Sequence, residues 1–344
     1  MTKPLRVLYV YKWATMGGVE RVLLNRALAL KDAQLAVEQD LYFFHDSGGL
    51  DAIKHYIEMY DLKQYLRVVE RVNESLYDVI LPIDTPEIFE LVKDHSKIYM
   101  ECHTAYKDNR EYFKKLPPEL KGIIVPSEHF KQDILDEVPD VLKEKVFVLG
   151  NFIPDQSVQH VTDPVMRFVK TPLIYVGRID EFKNAAEVID IFWNMQKKYG
   201  DQFMLILAGP VSPDVPLKKI ITDNKMTNRF MYLPPLPFHK ISSLLKMVKE
   251  NKGIFMSASK GESFGLSAAE AIAHEIPVML SHSHHSLVQG ENAFLYEQGD
   301  VLQAVDKTYA LIQHYEEMVE KTRPIYDLYR PNVFIQHWNT IFHS

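Results

Sequence analysis

The chain has 344 residues, more than one ordinary hydrophobic core accommodates, so two domains are expected. Hydrophobic residues make up 47% and charged residues 25%, a composition typical of a globular, soluble protein. The formal net charge of -7 argues against a dedicated nucleic-acid binder, which is normally basic, and a single cysteine excludes an intrachain disulfide.

The start of the chain does not resemble a secretory signal. Its apolar run is only about seven residues long and lacks a small-residue cleavage pattern. No stretch approaches the roughly 18 apolar residues of a membrane span. With one cysteine, which fits a reducing compartment, the sequence predicts a cytoplasmic protein that could still make peripheral contact with the inner face of the membrane.

The first half of the chain alternates apolar strands with helical patterns. Leu5–Tyr11 is rich in β-formers, and Gly17–Leu30 follows it with apolar residues at helical spacing. Near-continuous apolar strands separated by helices indicate a parallel sheet covered on both faces. Further buried strands are predicted at Asp40–Phe44, Tyr77–Ile83, Lys97–Cys102, Gly122–Ser127 and Lys145–Leu149.

A break rich in turn residues begins at Gly150, and no clear period returns before about Lys170, so we expect a linker there. The strand and helix pattern then restarts, which predicts two Rossmann-like α/β units in tandem. The predicted strands are Pro172–Asp180, Phe203–Pro210, Arg229–Leu236, Lys252–Ser259 and Ile276–Ser281. The predicted helices cover 184–199, 239–250, 265–274 and 300–321, and the tail after Phe334 has helical spacing that suits packing on the first domain.

Two glycine-containing loops follow predicted strands. Gly17 and Gly18 open the first helix, where unpaired backbone amides could hold an anion; a plain tight turn is the alternative. Gly177 ends the first strand of the second unit, and Arg178 and Lys183 stand in the next loop. Two cations there could clamp a diphosphate, whereas the alternative is a solvated surface loop.

A third polar loop holds two glutamates eight positions apart, Glu262 and Glu270. Between them Phe264, Gly265 and Leu266 would form a first helical turn whose amides could bind phosphate oxygens. Ionised carboxylates only accept hydrogen bonds, which suits sugar hydroxyls. The alternative is that Glu262 merely favours the positive helix start while Glu270 lies on a solvated face.

These residues resemble the Glu-x7-Glu motif of retaining GT-B glycosyltransferases, especially glycosyltransferase family 4. The surrounding segments are similar in order and spacing over nearly the whole chain: GGVERVL near the start, GRIDEFKN, AGP at 208–210 and EAIAHEIPV after the motif. The resemblance implies an α/β, GT-B fold, with two Rossmann-like domains facing across a cleft. It also implies an acceptor domain at 1–152, joined by a C-terminal helix at about 328–344, and a nucleotide-sugar donor domain at 153–327.

The resemblance further implies a role for each site residue. Arg178 and Lys183 would hold the diphosphate of a nucleoside-diphosphate sugar. Glu262 would contact the donor sugar, and Glu270 would accept from the ribose hydroxyls. The remaining residues would lie close to the donor: Gly17, Gly18, Gly177, Phe264, Gly265 and Leu266 near phosphates and sugar, and His103 at the junction of sugar and acceptor.

The predicted reaction is retaining transfer of a sugar from that donor to a hydroxyl acceptor, which could be a glycan, a glycolipid or a protein. The resemblance also implies that no cofactor and no metal are needed, so cationic side chains would neutralise the charge of the leaving group. Two alternatives remain open: a non-catalytic GT-B subunit that binds a partner transferase, and a nucleotide-sugar epimerase on the same fold.

The chain departs from the family pattern at three places. Glu275 stands where relatives have glycine before the Pro-Val strand, His282 to Val288 replaces a Gly-Gly turn, and Asn292-Ala293 replaces Asn-Gly. We expect these positions to flank the donor sugar and base pocket. A zinc site in the histidine-rich run is disfavoured because no Cys or carboxylate stands at ligand spacing.

Overall fold

The structure is a computed structural model that describes residues 3–155, 166–213, 215–223 and 229–342. The chain divides into two compact units, Met1–Pro154 with Arg330–Ser344 and Asp155–Tyr329. Part of the predicted linker, 156–165, lies outside the described residues. Each unit is built on its own parallel sheet, as the alternation of strands and helices predicts.

The first unit contains a seven-stranded, all-parallel sheet in the order β3-β2-β1-β4-β5-β6-β7. Its central strands are apolar on both faces and fully buried, because helices cover both faces of the sheet. The strands are β1 Leu5–Ala14, β2 Val37–Asp46, β3 Leu66–Val68, β4 Val79–Ile83, β5 Tyr99–Glu101, β6 Gly122–Val125 and β7 Val146–Val148. The helices are α1 Gly18–Asp32, α2 Leu50–Met59, α3 Glu128–Ile134 and α4 Asp140–Lys143.

The second unit contains a six-stranded, all-parallel sheet in the order β10-β9-β8-β11-β12-β13. Its strands are β8 Thr171–Val176, β9 Phe203–Ala208, β10 Phe230–Leu233, β11 Ile254–Ser257, β12 Val278–Ser281 and β13 Leu295–Tyr296. Its helices are α5 Ala185–Tyr199, α6 Leu217–Asp223, α7 Phe238–Glu250, α8 Leu266–Ala273, α9 Val301–Gln313 and α10 Tyr315–Asp327.

Both sheets reverse their strand order at one place, between β1 and β4 in the first unit and between β8 and β11 in the second. Crossovers leave opposite faces of the sheet on the two sides of such a point, which opens a crevice outside the carboxyl ends of the strands. Ligands of open α/β sheets bind there. The topology therefore singles out the loops that follow these four strands.

The prediction of one continuous helix over 300–321 is wrong. The structure has two helices, α9 and α10, because His314 leaves helical geometry with φ -111° and ψ 34°. His314 both ends α9 and precedes α10, so the break occupies a single residue. The strand predicted at Lys97–Cys102 is also shorter, since residues His95–Lys97 form a 3-10 turn before β5.

The last helix, α11 Pro331–Phe342, lies in the first unit. Phe334 and Trp338 are buried, and Phe334 packs on Phe152 with ring centroids 4.8 Å apart. His337 accepts a hydrogen bond from the backbone N–H of Gly150. Aromatic burial on this scale contributes several kcal/mol in typical cores, so α11 is an integral part of the unit.

Among the described residues, no helix combines the length and the apolar character needed to cross a membrane.

Candidate functional site

The loop after β8 carries both predicted phosphate ligands. Arg178 has a side chain that is 55% exposed and lies 3.3 Å from a carboxylate oxygen of Asp180. The other oxygen of Asp180 accepts a hydrogen bond of 2.7 Å from the backbone N–H of Lys183. Asp180 thus connects the two basic residues and fixes the curvature of the loop between them.

Glycine is required at the end of β9 and favoured at the end of β8. A Cβ on Gly177 would lie 3.1 Å from the hydroxyl of Tyr175. Gly209, in the AGP segment after β9, has φ +139°. A Cβ built on it would lie 2.0 Å from the carbonyl oxygen of Gly177, so no larger residue fits. This close backbone approach explains why the chain has glycine at position 209. It also brings the end of β9 against the loop that carries Arg178.

The loop after β11 meets the loop after β8. The Nζ atom of Lys183 lies 2.6 Å from Oε1 of Glu262, and both side chains are largely buried. Burial alone would raise the pKa of the Glu262 carboxyl, but Lys183 and then His284 outweigh it and hold that pKa below its usual range. The pair therefore keeps the Glu262 carboxylate charged at the reversal point of the second sheet.

His284 belongs to this cluster, and it lies in the run His282 to Val288 that the sequence singles out as a departure from the family pattern. Its side chain is 2% exposed, its Nε2 lies 3.7 Å from Oε1 of Glu262, and its Nδ1 lies 3.1 Å from the hydroxyl of Ser283. Ser281 and Ser283 both donate to the carbonyl oxygen of Ser259. The run that replaces Gly-Gly in the family pattern thus ties the end of β12 to the loop of β11 and places an imidazole beside Glu262.

Helix α8 starts with the backbone that the motif requires. Gly265 adopts φ +87° and precedes Leu266, and a Cβ on it would meet Cδ2 of His284 at 3.0 Å. Phe264 is buried and packs edge-to-face on Tyr329 with ring centroids 5.2 Å apart. Glu270 is 2% exposed, so the alternative of a solvated face for this residue is wrong.

Glu275 does not lie near this cluster, contrary to the expectation that it flanks the donor pocket. It follows the C-terminal end of α8, whereas Gly265 precedes the N-terminal end. Its backbone has φ +55°, a left-handed conformation that glycine adopts without strain. Its carboxylate pairs with Lys249 and with Arg323, so the residue has a structural role at the opposite edge of the sheet.

In the first unit, the turn after β1 differs from the predicted anion site. The carboxylate of Glu20 accepts hydrogen bonds from the backbone N–H groups of Thr15, Met16 and Gly17. The amide of Gly17 is therefore occupied by the protein's own carboxylate and does not bind phosphate here. Gly18 remains a candidate, because a Cβ on it would meet no described atom within 4 Å. The spacing from Gly17 to Glu20 is that of a capping box, which is the signal that could have revealed this arrangement.

His103 lies just after β5, and its ring is 8% exposed. Its Nε2 lies 2.6 Å from Oε1 of Glu101, and its backbone N–H donates to Asp84 at the end of β4. Glu101 in turn forms a fully buried ion pair with Arg26 of α1. His103 thus lies one strand beyond the reversal point of the first sheet, with its backbone bound to Asp84 at the end of β4.

Within the described parts of the chain, no three His, Cys, Asp or Glu side chains are arranged to hold a metal ion.

The match to a known protein family lies in one of the two units of the chain. The family model described as "Glycosyl transferases group 1" matches residues 169–323, which is less than half of the chain and lies in the second unit. A probable sucrose-phosphate synthase of Thermosipho melanesiensis is 26% identical over 153 residues, 43% of this chain and 34% of that protein. The chain thus spans about a third of that relative's length. An alpha-monoglucosyldiacylglycerol synthase of Acholeplasma laidlawii is 24% identical over 275 residues, 70% of this chain and 68% of that one.

Solved structures match over nearly the whole chain. HepE of Anabaena, in complex with UDP and glucose, aligns with a TM-score of 0.78 over 99% of this chain and 100% of its own, at 15% identity. The pneumococcal O-GlcNAc transferase GtfA, in complex with UDP and GlcNAc, aligns with a TM-score of 0.72 over 99% and 100%, at 11% identity.

This chain has the GT-B fold. The predicted α/β class with two Rossmann-like domains is confirmed by this likeness and by the two parallel sheets. The loops at the reversal points carry Gly18 in the first unit and Arg178, Lys183 and Glu262 in the second, and His103 follows the adjacent strand β5.

Proposed function

We propose that the protein is a retaining glycosyltransferase that moves a sugar from a nucleoside-diphosphate sugar to a hydroxyl acceptor. The observation that carries this proposal is the buried contact of 2.6 Å between Lys183 and Glu262, which joins the loops after β8 and β11. A cation that neutralises a departing diphosphate and a carboxylate that accepts from sugar hydroxyls are the two functions that such a donor requires.

In this proposal the residues of the second unit bind the donor. Arg178 has an exposed guanidinium, which can form two parallel hydrogen bonds to phosphate oxygens. Lys183 supplies a point charge to the same group. The amides at the start of α8 face developing negative charge with the positive end of the helix dipole. Glu270, buried in the same helix, accepts from the ribose hydroxyls.

In this proposal the first unit binds the acceptor, through the loops that carry Gly18 and His103. Retention follows from attack on the face that the diphosphate leaves, with a phosphate oxygen taking the proton of the acceptor hydroxyl. No metal takes part, because Arg178 and Lys183 stabilise the leaving group. The product's anomeric configuration, read from its proton NMR coupling, tests retention, and unchanged activity in excess EDTA tests the absence of a metal.

The relatives support the donor class. HepE and GtfA were solved with UDP, and the synthase of Acholeplasma laidlawii is named for a glucosylated lipid. We therefore place uridine nucleotides first in any search for the donor. We also propose that the enzyme is cytoplasmic and contacts a membrane peripherally. The lipid in that name supports such a contact, and no helix in the described chain could span a membrane.

The decisive test is thermal stabilisation by nucleoside diphosphates and their sugars. A ligand that binds only the folded state stabilises it by about 2.7 kcal/mol at a hundred times its dissociation constant. We expect one nucleoside diphosphate to stabilise the wild type, and Arg178→Ala to lose the response. Arg167→Ala is the matched control, because Arg167 is another exposed arginine of the second unit and pairs with Glu250.

The two alternatives give different outcomes. A non-catalytic subunit predicts that no ligand in a broad panel stabilises the protein. An epimerase predicts that the bound nucleotide sugar is converted without any acceptor, which chromatography of the incubated donor detects. The charged cluster favours the transferase, because a purely structural subunit has no need of a buried Lys183–Glu262 pair beside Arg178.

A further inference from the structure

A buried ion pair connects helix α1 to the end of strand β5. The guanidinium of Arg26 lies 3.0 Å and 2.5 Å from the two carboxylate oxygens of Glu101, and both side chains are 0% exposed. Removing two charges from water costs several kcal/mol, a cost that a hydrophobic pair of the same volume would not have. The parallel fork geometry offsets part of this cost. Stability alone is therefore a weak explanation for a buried pair of this kind.

Glu101 has a second partner on the same strand face. His103 stands two residues further along, so its side chain points to the same side of the sheet. Its Nε2 lies 2.6 Å from Oε1 of Glu101, the oxygen that Arg26 also contacts. Arg26, Glu101 and His103 thus form a buried chain of charge-assisted hydrogen bonds that ends at the candidate site.

The backbone of His103 is held from another side. Its N–H donates to Oδ2 of Asp84 at 3.1 Å, and the other oxygen of Asp84 accepts from the hydroxyl of Tyr112 at 3.0 Å. Asp84 adopts the left-handed conformation, φ +45°, directly after β4. Such a conformation persists in a non-glycine residue only when its surroundings enforce it. Both the ring and the main chain of His103 are therefore immobilised.

The partner of Nε2 decides which ring nitrogen carries the proton. Burial raises the pKa of the Glu101 carboxyl, but Arg26 and His103 outweigh this and hold that pKa well below its usual range. An ionised carboxylate accepts hydrogen bonds and donates none, so the contact requires a proton on Nε2. In its neutral form, which this inference requires, the imidazole has one N–H, and a proton on Nε2 leaves a lone pair on Nδ1. In the part of the chain that the structure describes, Nδ1 has no hydrogen-bond partner.

We propose that Glu101 and Arg26 are positioning residues that hold His103 in its Nε2–H tautomer, so that Nδ1 accepts a hydrogen bond from a hydroxyl group. The source of that hydroxyl, a donor sugar or an acceptor, rests on the function proposed above, whereas the tautomer does not. His103 is then a residue that recognises hydroxyl groups by accepting. A ring held with its proton on Nδ1 would instead have donated to the substrate.

The tautomer is measured first, on the wild-type protein labelled with ¹⁵N-histidine. We expect a one-bond NMR correlation between Nε2 of His103 and a proton that exchanges slowly with water, because the bond to Glu101 is buried. His282 serves as the internal reference, since its side chain is 54% exposed and its ring proton should exchange fast. A proton found on Nδ1 of His103 would overturn the proposal. The measurement needs no substrate, so it stands even if no glycosyl transfer is detected.

Variants then separate positioning from simple stability. Glu101→Gln should accelerate exchange of the His103 ring proton and lower kcat about tenfold or more, while the donor KM stays within about threefold, because misplacement of a reacting contact acts on the transition state. Asp40→Asn is the matched control: it neutralises another buried carboxylate of the same sheet, which pairs with Arg67 and Tyr77 instead. It should leave both readouts unchanged.

A third variant covers the case in which Glu101→Gln does not fold. Arg26→Lys keeps a cation beside Glu101 but lacks the fork, so we expect the tautomer to persist with faster proton exchange. If the folded variants Glu101→Gln or Arg26→Lys exchange the His103 proton as slowly as the wild type and keep its kcat, the ion pair only anchors α1 to β5 and the positioning role is wrong.

Discussion

Lys183 and Glu262 are 79 residues apart in the sequence and 2.6 Å apart in the second unit. Each comes from a loop that follows a strand at the reversal point of the sheet, β8 for the lysine and β11 for the glutamate. Their contact, with His284 next to the carboxylate, holds the pKa of Glu262 below its usual range in a largely buried position. In the proposed function, an incoming diphosphate would meet a lysine that is already oriented and largely removed from water, so little reorganisation would be needed.

Replacing Lys183 by methionine should weaken nucleotide binding and leave Glu262 buried without its ammonium partner. A hydrogen bond to a charged group contributes about 1.5–3 kcal/mol, so the dissociation constant of the stabilising nucleoside diphosphate should rise about 10- to 100-fold. Isothermal titration calorimetry gives this constant directly. Lys260→Met is the control, because Lys260 is an exposed lysine of the neighbouring loop that pairs with Glu181. Unchanged affinity in Lys183→Met would contradict a role in donor binding.

Gly18→Ala separates a ligand-binding glycine from a structural one. The added Cβ would enter open space, and Gly18 is the first residue of α1. The free energy of unfolding of the variant should therefore differ from that of the wild type by no more than about 1 kcal/mol, in either direction. If a phosphate or sugar approaches this backbone closely, the methyl group will lower kcat/KM for the donor. Urea unfolding and steady-state kinetics on the same preparation measure both. Full activity would remove Gly18 from the site and leave only a tight turn.

His284 should make the second unit less stable in acid. Burial lowers the pKa of its imidazole, and Glu262 opposes this only in part. The folded protein therefore takes up this proton at lower pH than the unfolded chain, in which the pKa is about 6.5. As pH falls below that value the free energy of unfolding decreases, by up to about 1.4 kcal/mol per pH unit, until the folded-state pKa is reached.

Urea unfolding of wild type and His284→Asn at pH 7.5, 6.5 and 5.5 tests this. The advantage of the wild type over the variant should shrink toward pH 5.5, since asparagine has no proton to take up. His285→Asn is the control, because that neighbouring side chain is exposed. A wild-type advantage that is constant with pH would show that His284 is protonated equally in both states.

Trp338→Ala should strongly destabilise the first unit. The indole is 0% exposed and packs between Phe334 and Phe342 in α11. Truncating a buried tryptophan to alanine costs about 3–5 kcal/mol, through lost burial and the cavity left behind. Leu302→Ala is the control, since that side chain is 68% exposed and should change the stability by no more than about 0.5 kcal/mol. Thermal or urea unfolding measures both, and a small effect at Trp338 would mean that α11 is dispensable.

Much of the fold was predictable because its signals are local. Leu5–Tyr11 and Gly17–Leu30 show a strand, a glycine turn and a helix within thirty residues, and the structure has β1 and α1 there. The break at His314 was not predictable from periodicity, since apolar spacing continues across it and a single non-helical residue leaves no composition signal.

The site was predictable only where glycine and charge follow a strand. That pattern singled out Arg178, Lys183 and Glu262, but it did not reveal that the last two contact each other. Arg26 and Glu101 are 75 residues apart, and each looks like an ordinary residue of its own helix or strand. The run His282 to Val288 was singled out, but the proximity of His284 to Glu262 was not predictable, because no spacing within β12 or its loop encodes that distance.

Because α11 belongs to the first unit, that unit can complete its core only after the end of the chain has been synthesised. A ribosome completes the second unit, up to Tyr329, before it reaches the residues that fill the last part of the first unit's core. The surface of the nascent first unit that receives Phe334 and Trp338 therefore stays exposed while the second unit emerges and folds. Chaperone binding to ribosome-held chains stalled before Pro331 should reflect this interval.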